Sequence, residues 1–139
     1  SSKVELLGIA RASRLLCTEF ATQHKISVSF EEREIPREVP GAVTMCVYRV
    51  LQGALQNIAK HSPASSCHDE LYGADGEIHL IVKDDGVGFD SEPALDPRGM
   101  GLVSMRERVA LLNGRLSIDS SQGDGTRVHA SLACRGSGV

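Results

Sequence analysis

"RGMGLVSMRERVALLNGRLSIDSSQGDGTRV", residues 98–128, changes its period halfway along. Up to Leu112 the apolar residues Leu102, Met105, Val109 and Leu112 recur every three or four positions, the spacing that lines one face of a helix. Asn113-Gly114 then reads as a helix stop, because both residues tolerate the left-handed backbone of a C-cap. Beyond it the period falls to two. Leu116 and Ile118 share a face with Val128, Ala130 and Leu132, across a turn made by "SQGDG". A helix that hands over directly to an antiparallel hairpin predicts layers: a sheet with helices against it.

The rest of the chain extends that pattern. Residues 4–24 carry Val4, Leu6, Leu7, Ile9, Leu15, Leu16 and Phe20 at helical spacing, and "KISVSFEE" (25–32) alternates like a half-buried strand. "VYRVLQGALQNIAKH" (47–61) is a helix whose apolar stripe is Val47, Val50, Leu51, Ala54, Leu55 and Ile58. Pro40 suits its opening and Pro63 ends it. "ASSCHDELYG" (64–73) is weakly patterned and predicts a poor edge strand; "ADG" follows as a hairpin turn. "EIHLIVKDD" (77–85) turns Ile78, Leu80 and Val82 inward and His79, Ile81 and Lys83 outward. "GVGFDSEPALDPRGMG" (86–101) is a long loop. The expected order is α β α β β loop α β β. That is an α/β (α+β) two-layer sandwich, a mixed sheet with helices on one face, in one domain over residues 1–139 with an ordered core at 5–133 and a loose tail from 134.

Composition narrows the classes of function. The 139 residues suit one compact domain, and 41% apolar with 24% charged content is ordinary for a globular protein. Five aromatics and no Trp leave the core to aliphatic side chains. A formal charge of −3 argues against nucleic acid or an anionic membrane as the main partner. No apolar run approaches the roughly 20 residues of a membrane span. Cys17, Cys46, Cys67 and Cys134 are scattered, with no C-x-x-C pair, and read as buried free thiols in a reducing compartment.

Three polar constellations carry chemistry. Asp84 ends a strand and is followed by Gly86 and Gly88, which let the backbone approach a flat ligand while the carboxylate accepts from an exocyclic amine. Gly99 and Gly101 open a helix, whose free N–H groups and dipole favour an anion. Gly53, Asn57, Lys60 and His61 lie along one stripe of the 47–61 helix; Asn57 offers an oxygen to Mg²⁺, and Lys60 a charge to phosphate. Each alone is an ordinary turn or a solvated helix face. Together, in this order, they could surround one Mg-nucleotide.

In these motifs the chain resembles the ATP-binding, catalytic (GHKL, HATPase) domain of bacterial two-component sensor histidine kinases, over residues 5–133. "LQGALQNIAKH" looks like the N box, and "DDGVGFD" looks like the D-x-G-x-G box. The stretch quoted first is similar to the second glycine box and its sequel, in the subfamily whose response regulators carry helix-turn-helix domains. The resemblance implies the Bergerat sandwich and the cofactors ATP and Mg²⁺. It implies that Asp84, with Gly86 and Gly88, takes adenine, assisted by Thr126, and that Asn57 ligates the metal. Lys60 and His61 would reach the phosphates. Gly99, Gly101 and Leu102 would edge a lid spanning about residues 89–100. The implied partners are a dimerisation and phosphoacceptor domain outside this chain, a response regulator, and a second copy in the full-length homodimer, with no nucleic acid. The implied place is the cytoplasm, in a parent that an inner membrane could hold.

Two departures stand out. Gly53 occupies the place where the family usually has Glu, a carboxylate able to orient water or take a proton, so no catalytic base is assigned. No histidine here lies on an acceptor helix; His68, in "HDE", reads as surface. The alternatives are therefore a degenerate GHKL module that holds nucleotide without transfer, and an anti-sigma-type serine kinase.

Overall fold

The computed structural model describes residues 2–61, 64–87 and 99–134. In chain order the elements are α1 (Ser2–His24), β1 (Ser27–Arg33), α2 (Gly41–His61), β2 (Ser66–Ala74), β3 (Glu77–Asp84), α3 (Gly99–Ala110), β4 (Arg115–Ser120) and β5 (Thr126–Ala133). The strands form one sheet in the order β1-β2-β3-β5-β4. Among the described residues only β1 and β2 pair in parallel; they are joined through α2, as a parallel pair requires a crossover. The other three pairings are antiparallel. This is the expected mixed sheet with helices on one face.

The periodicities set the layers. The α2 stripe of Val47, Val50, Leu51, Ala54, Leu55 and Ile58 is buried, and so are Ile78, Leu80 and Val82 of β3 beneath it. Helix α2 starts earlier than its apolar stripe, where Pro40 O accepts the Val43 and Thr44 N–H groups. Helix α1 breaks at Gly8, whose φ of 80° and ψ of 163° no helix contains. Asp75 (φ 54°) and Gly76 (φ 77°) turn β2 into β3 as a two-residue hairpin with both residues left-handed. Asn113 (φ 57°) ends α3, with Gly114 N–H reaching back to Val109 O at 3.0 Å. Leu112 therefore lies past the helix, half-buried against the core.

One expectation fails. The 64–73 segment is not an edge strand. It yields β2, nine residues long, paired on both sides by β1 and β3. Its inward residues Cys67, Asp69 and Leu71 are all buried, so a carboxylate stands where the pattern calls for an apolar side chain. Cys17 Sγ and Cys67 Sγ donate to its two oxygens at 3.1 and 3.0 Å. Burial pushes the Asp69 carboxyl up, and burial beside Asp69 pushes both thiols up, which keeps them protonated and unreactive. All four cysteines are free.

The opposite face of the sheet is polar. Across it run Arg33 stacked over Tyr72 (4.1 Å), Tyr72 stacked on His79 (4.7 Å) and His79 Nδ1 against His129 Nε2 (3.0 Å). No described helix is long and apolar enough to cross a membrane.

Candidate nucleotide site

Asp84 stands at the end of the sandwich where α2 and β3 run out and β2 and β5 begin. The parity that buries Ile78, Leu80 and Val82 carries Asp84 inward as well, 5% exposed. Its register partners are Cys67 on β2 and Thr126 on β5. Asp84 Oδ1 accepts the Gly86 N–H at 2.8 Å, an Asx turn that swings the chain off the strand and fixes the carboxylate.

The other wall is the β4–β5 turn. Gly125 (φ +75°) lies against the Asp84 backbone, and Gly123 N–H donates to Val87 O at 2.6 Å. The two glycine-bearing turns are thus stitched together. Ser120 Oγ donates to Gly125 O at 3.0 Å and meets Thr126 Oγ1 at 2.9 Å. A hydroxyl donates once, so Thr126 donates in that pair and keeps its lone pairs for an incoming amine or water.

Asp85 escaped the sequence reading. It is exposed, yet its carboxylate accepts from Ser65 N (2.9 Å), Ser65 Oγ (2.7 Å), Ser66 N (3.0 Å) and Ser66 Oγ (3.0 Å). These bonds, the Ser66 amide first, hold its carboxyl down at about 2. The clamp ties the turn after β3 to the start of β2. The signal was present in Ser65-Ser66, but nothing local says which acid those donors meet.

The α2 stripe divides. Gly53 faces α3, where a Cβ would meet Met105 Cε at 2.7 Å, and lines a groove there with Arg49, Gln56 and Arg108. Lys60 is exposed and lines a different groove, between α1 and α2, with Phe20, His24 and Gln56. Asn57 is half-buried near the end of α2. His61 ends that helix, and its side chain lies outside the described residues, as do Gly88 and the lid segment up to residue 98. Gly99 and Gly101 open α3. The Leu102 side chain is 2% exposed and anchored in the core, so only its backbone could face a ligand.

A buried, oriented carboxylate at a strand end, a hydroxyl opposite it, an amide near the end of one helix and glycines opening another make up the candidate site. The profile of the family described as "Histidine kinase-, DNA gyrase B-, and HSP90-like ATPase" matches residues 42–135, and the chain belongs to this family. Among its relatives, the chain is 32% identical over 126 residues to the signal transduction histidine-protein kinase/phosphatase DegS of Brevibacillus brevis, covering 91% of the chain and 32% of DegS. It is 35% identical over 130 residues to UhpB, of the same description, from Salmonella typhimurium, covering 93% of the chain and 25% of UhpB. The chain spans about a third or less of these curated relatives. Its fold matches full-length ShkA in complex with AMPPNP with a TM-score of 0.73 at 18% identity, covering 95% of the chain and 31% of ShkA. It matches the mycobacterial sensor histidine kinase MprB with a TM-score of 0.66 at 23% identity, covering 94% and 95%. The chain is a histidine-kinase-type ATPase domain of the sensor-kinase kind.

Proposed function

We propose that this domain binds Mg-ATP and passes the γ-phosphoryl group to a histidine outside the chain, on the dimerisation domain of a two-component sensor kinase. The observation that carries the reading is Asp84: buried, at a strand end, aimed by the Gly86 N–H and backed by Gly125. Such a carboxylate accepts from the adenine 6-amine, which guanine replaces with a carbonyl. Thr126, its cross-strand partner, adds a hydroxyl beside it. Asn57 suits Mg²⁺, which accepts a hard amide oxygen and keeps several waters, so one protein ligand suffices. Lys60 and His61 serve the phosphates, and the Gly99–Gly101 backbone receives them at the start of α3. Catalysis then rests on positioning and charge neutralisation rather than on a base. Affinity on the order of micromolar to millimolar is expected, because the costs of association offset much of the contact energy. The ordered unit works within residues 1–139, as the cytoplasmic part of a parent kinase that dimerises and hands phosphate to a response regulator.

The test mixes the chain with γ-labelled ATP, Mg²⁺ and the dimerisation domain of its own parent. Acid-labile label on that domain supports the reading, and label on the chain's own histidines contradicts it. Asp84→Ala should erase the preference for ATP over GTP in calorimetry; an unchanged preference would sink the adenine assignment. Gly53 favours a second reading, a nucleotide-holding module without transfer, and nucleotide binding with no label on the acceptor would select it.

A further inference from the structure

On the sheet face away from the helices, β1 and β2 present a square of polar side chains. Ser29 stands beside His68 and Glu31 beside Glu70 in the parallel ladder, alternating with Phe30 and the buried Asp69 on the other face. His68 Nε2 lies 4.0 Å from Glu31 Oε1 and 3.7 Å from Glu70 Oε1. One ligand atom from each of the three falls within 4.8 Å of the others. His68 Nδ1 hydrogen-bonds to Ser29 Oγ. Arg33 holds the far oxygen of Glu70, Oε2, at 3.3 Å.

We propose that Glu31, His68 and Glu70 form a binding site for a divalent transition-metal ion, zinc before others. An imidazole nitrogen with two carboxylate oxygens is a donor set zinc accepts; hard Mg²⁺ and Ca²⁺ prefer oxygen throughout. Tetrahedral zinc with bonds of about 2.0–2.2 Å sets its ligand atoms about 3.3 Å apart, so the triad closes on an ion by contracting about 1.5 Å or less. The side chains have room to do so, being 63%, 48% and 25% exposed for Glu31, His68 and Glu70. Ser29 matters because a hydrogen bond from Nδ1–H to its hydroxyl leaves the lone pair on Nε2, between the carboxylates. Glutamates directly across a ladder repel, and Arg33 offsets only one of them. A cation offsets both, and the fourth position stays open to water. Bound there, the ion clips edge strand β1 to β2. The site lies on the opposite face from Asp84 and does not depend on the nucleotide reading.

The test is a calorimetric titration of metal-stripped chain with zinc chloride. One ion per chain is expected, with a higher melting temperature in its presence. His68→Ala should weaken binding at least tenfold and abolish the thermal shift, and Glu31→Gln, which keeps shape, should weaken it too. Unchanged melting of both variants without zinc shows that they fold. His129→Ala should bind as the parent does. The proposal is overturned if His68→Ala binds zinc unimpaired, if the loss follows His129→Ala instead, which would place the ion at the His79–His129 pair, or if no binding occurs at about 1 mM zinc.

Discussion

A Cβ atom on Gly125 would stand 2.1 Å from the carbonyl oxygen of Asp84, closer than any two such atoms can pack. The hairpin turn and the end of β3 are in backbone contact, and the side chain omitted at residue 125 is what lets them meet. Gly125→Ala must leave a left-handed conformation or force the strands apart, at about 2–4 kcal/mol. Urea denaturation should show that loss, and ATP affinity should fall with it. A variant of unchanged stability would mean that the turn moves aside at no cost.

Asp85 predicts an acid-side effect. Its folded carboxyl titrates at about 2, below the roughly 3.9 of an unfolded chain. A lowered acid pKa contributes stability that is present above the unfolded value and is lost as pH falls through the folded one. The parent chain should therefore lose melting temperature between about pH 4 and 2, and Asp85→Asn should lose less over that window. Parallel melting curves for the two would contradict the clamp.

Asp69 predicts the reverse. Burial raises its carboxyl, so ionisation opposes the fold, and stability should rise as pH falls through the raised value towards about 3.9. Asp69→Asn carries no ionisable proton and should flatten that rise. Denaturant midpoints at pH 5 and pH 8 measure it; an equal slope in both proteins would refute the assignment.

Gly53 concerns chemistry. The Cβ of a Gly53→Glu side chain meets the mobile end of Met105, which can yield, and Glu gains up to about 1 kcal/mol over Gly in a helix. The variant should therefore fold at least as well. ATP turnover, with the acceptor domain supplied, should change less than tenfold, about 1.4 kcal/mol, because positioning and charge govern the transfer. A larger gain at unchanged affinity would show that the missing carboxylate limits the domain.

Much of this was legible in local pattern. The α2 stripe, the Asp75-Gly76 hairpin, the Asn113 stop and the inward parity ending at Asp84 are each decided within a few residues. What stayed hidden is non-local. β2 read as an edge because Asp69 breaks its apolar face, and its compensation comes partly from Cys17, 52 positions away. The Ser65 and Ser66 clamp on Asp85 spans 20 and 19 positions. The α2 polar stripe looked continuous on a helical wheel, but α1 and α3 pack on either side of it and send Lys60 and Gly53 into separate grooves.

Residues 42–135 are the portion that the family profile recognises, and the thiol that Cys17 gives to Asp69 lies outside them. So does all of β1, whose pairing makes β2 an inner strand. The borders of the family profile and of the folding unit therefore differ in this chain. A fragment begun at residue 42 would keep Asn57, Asp84 and Thr126, lose Glu31 with the rest of β1, and expose a bare strand edge beside a half-partnered acid. Where such a domain is cut decides whether its site exists at all.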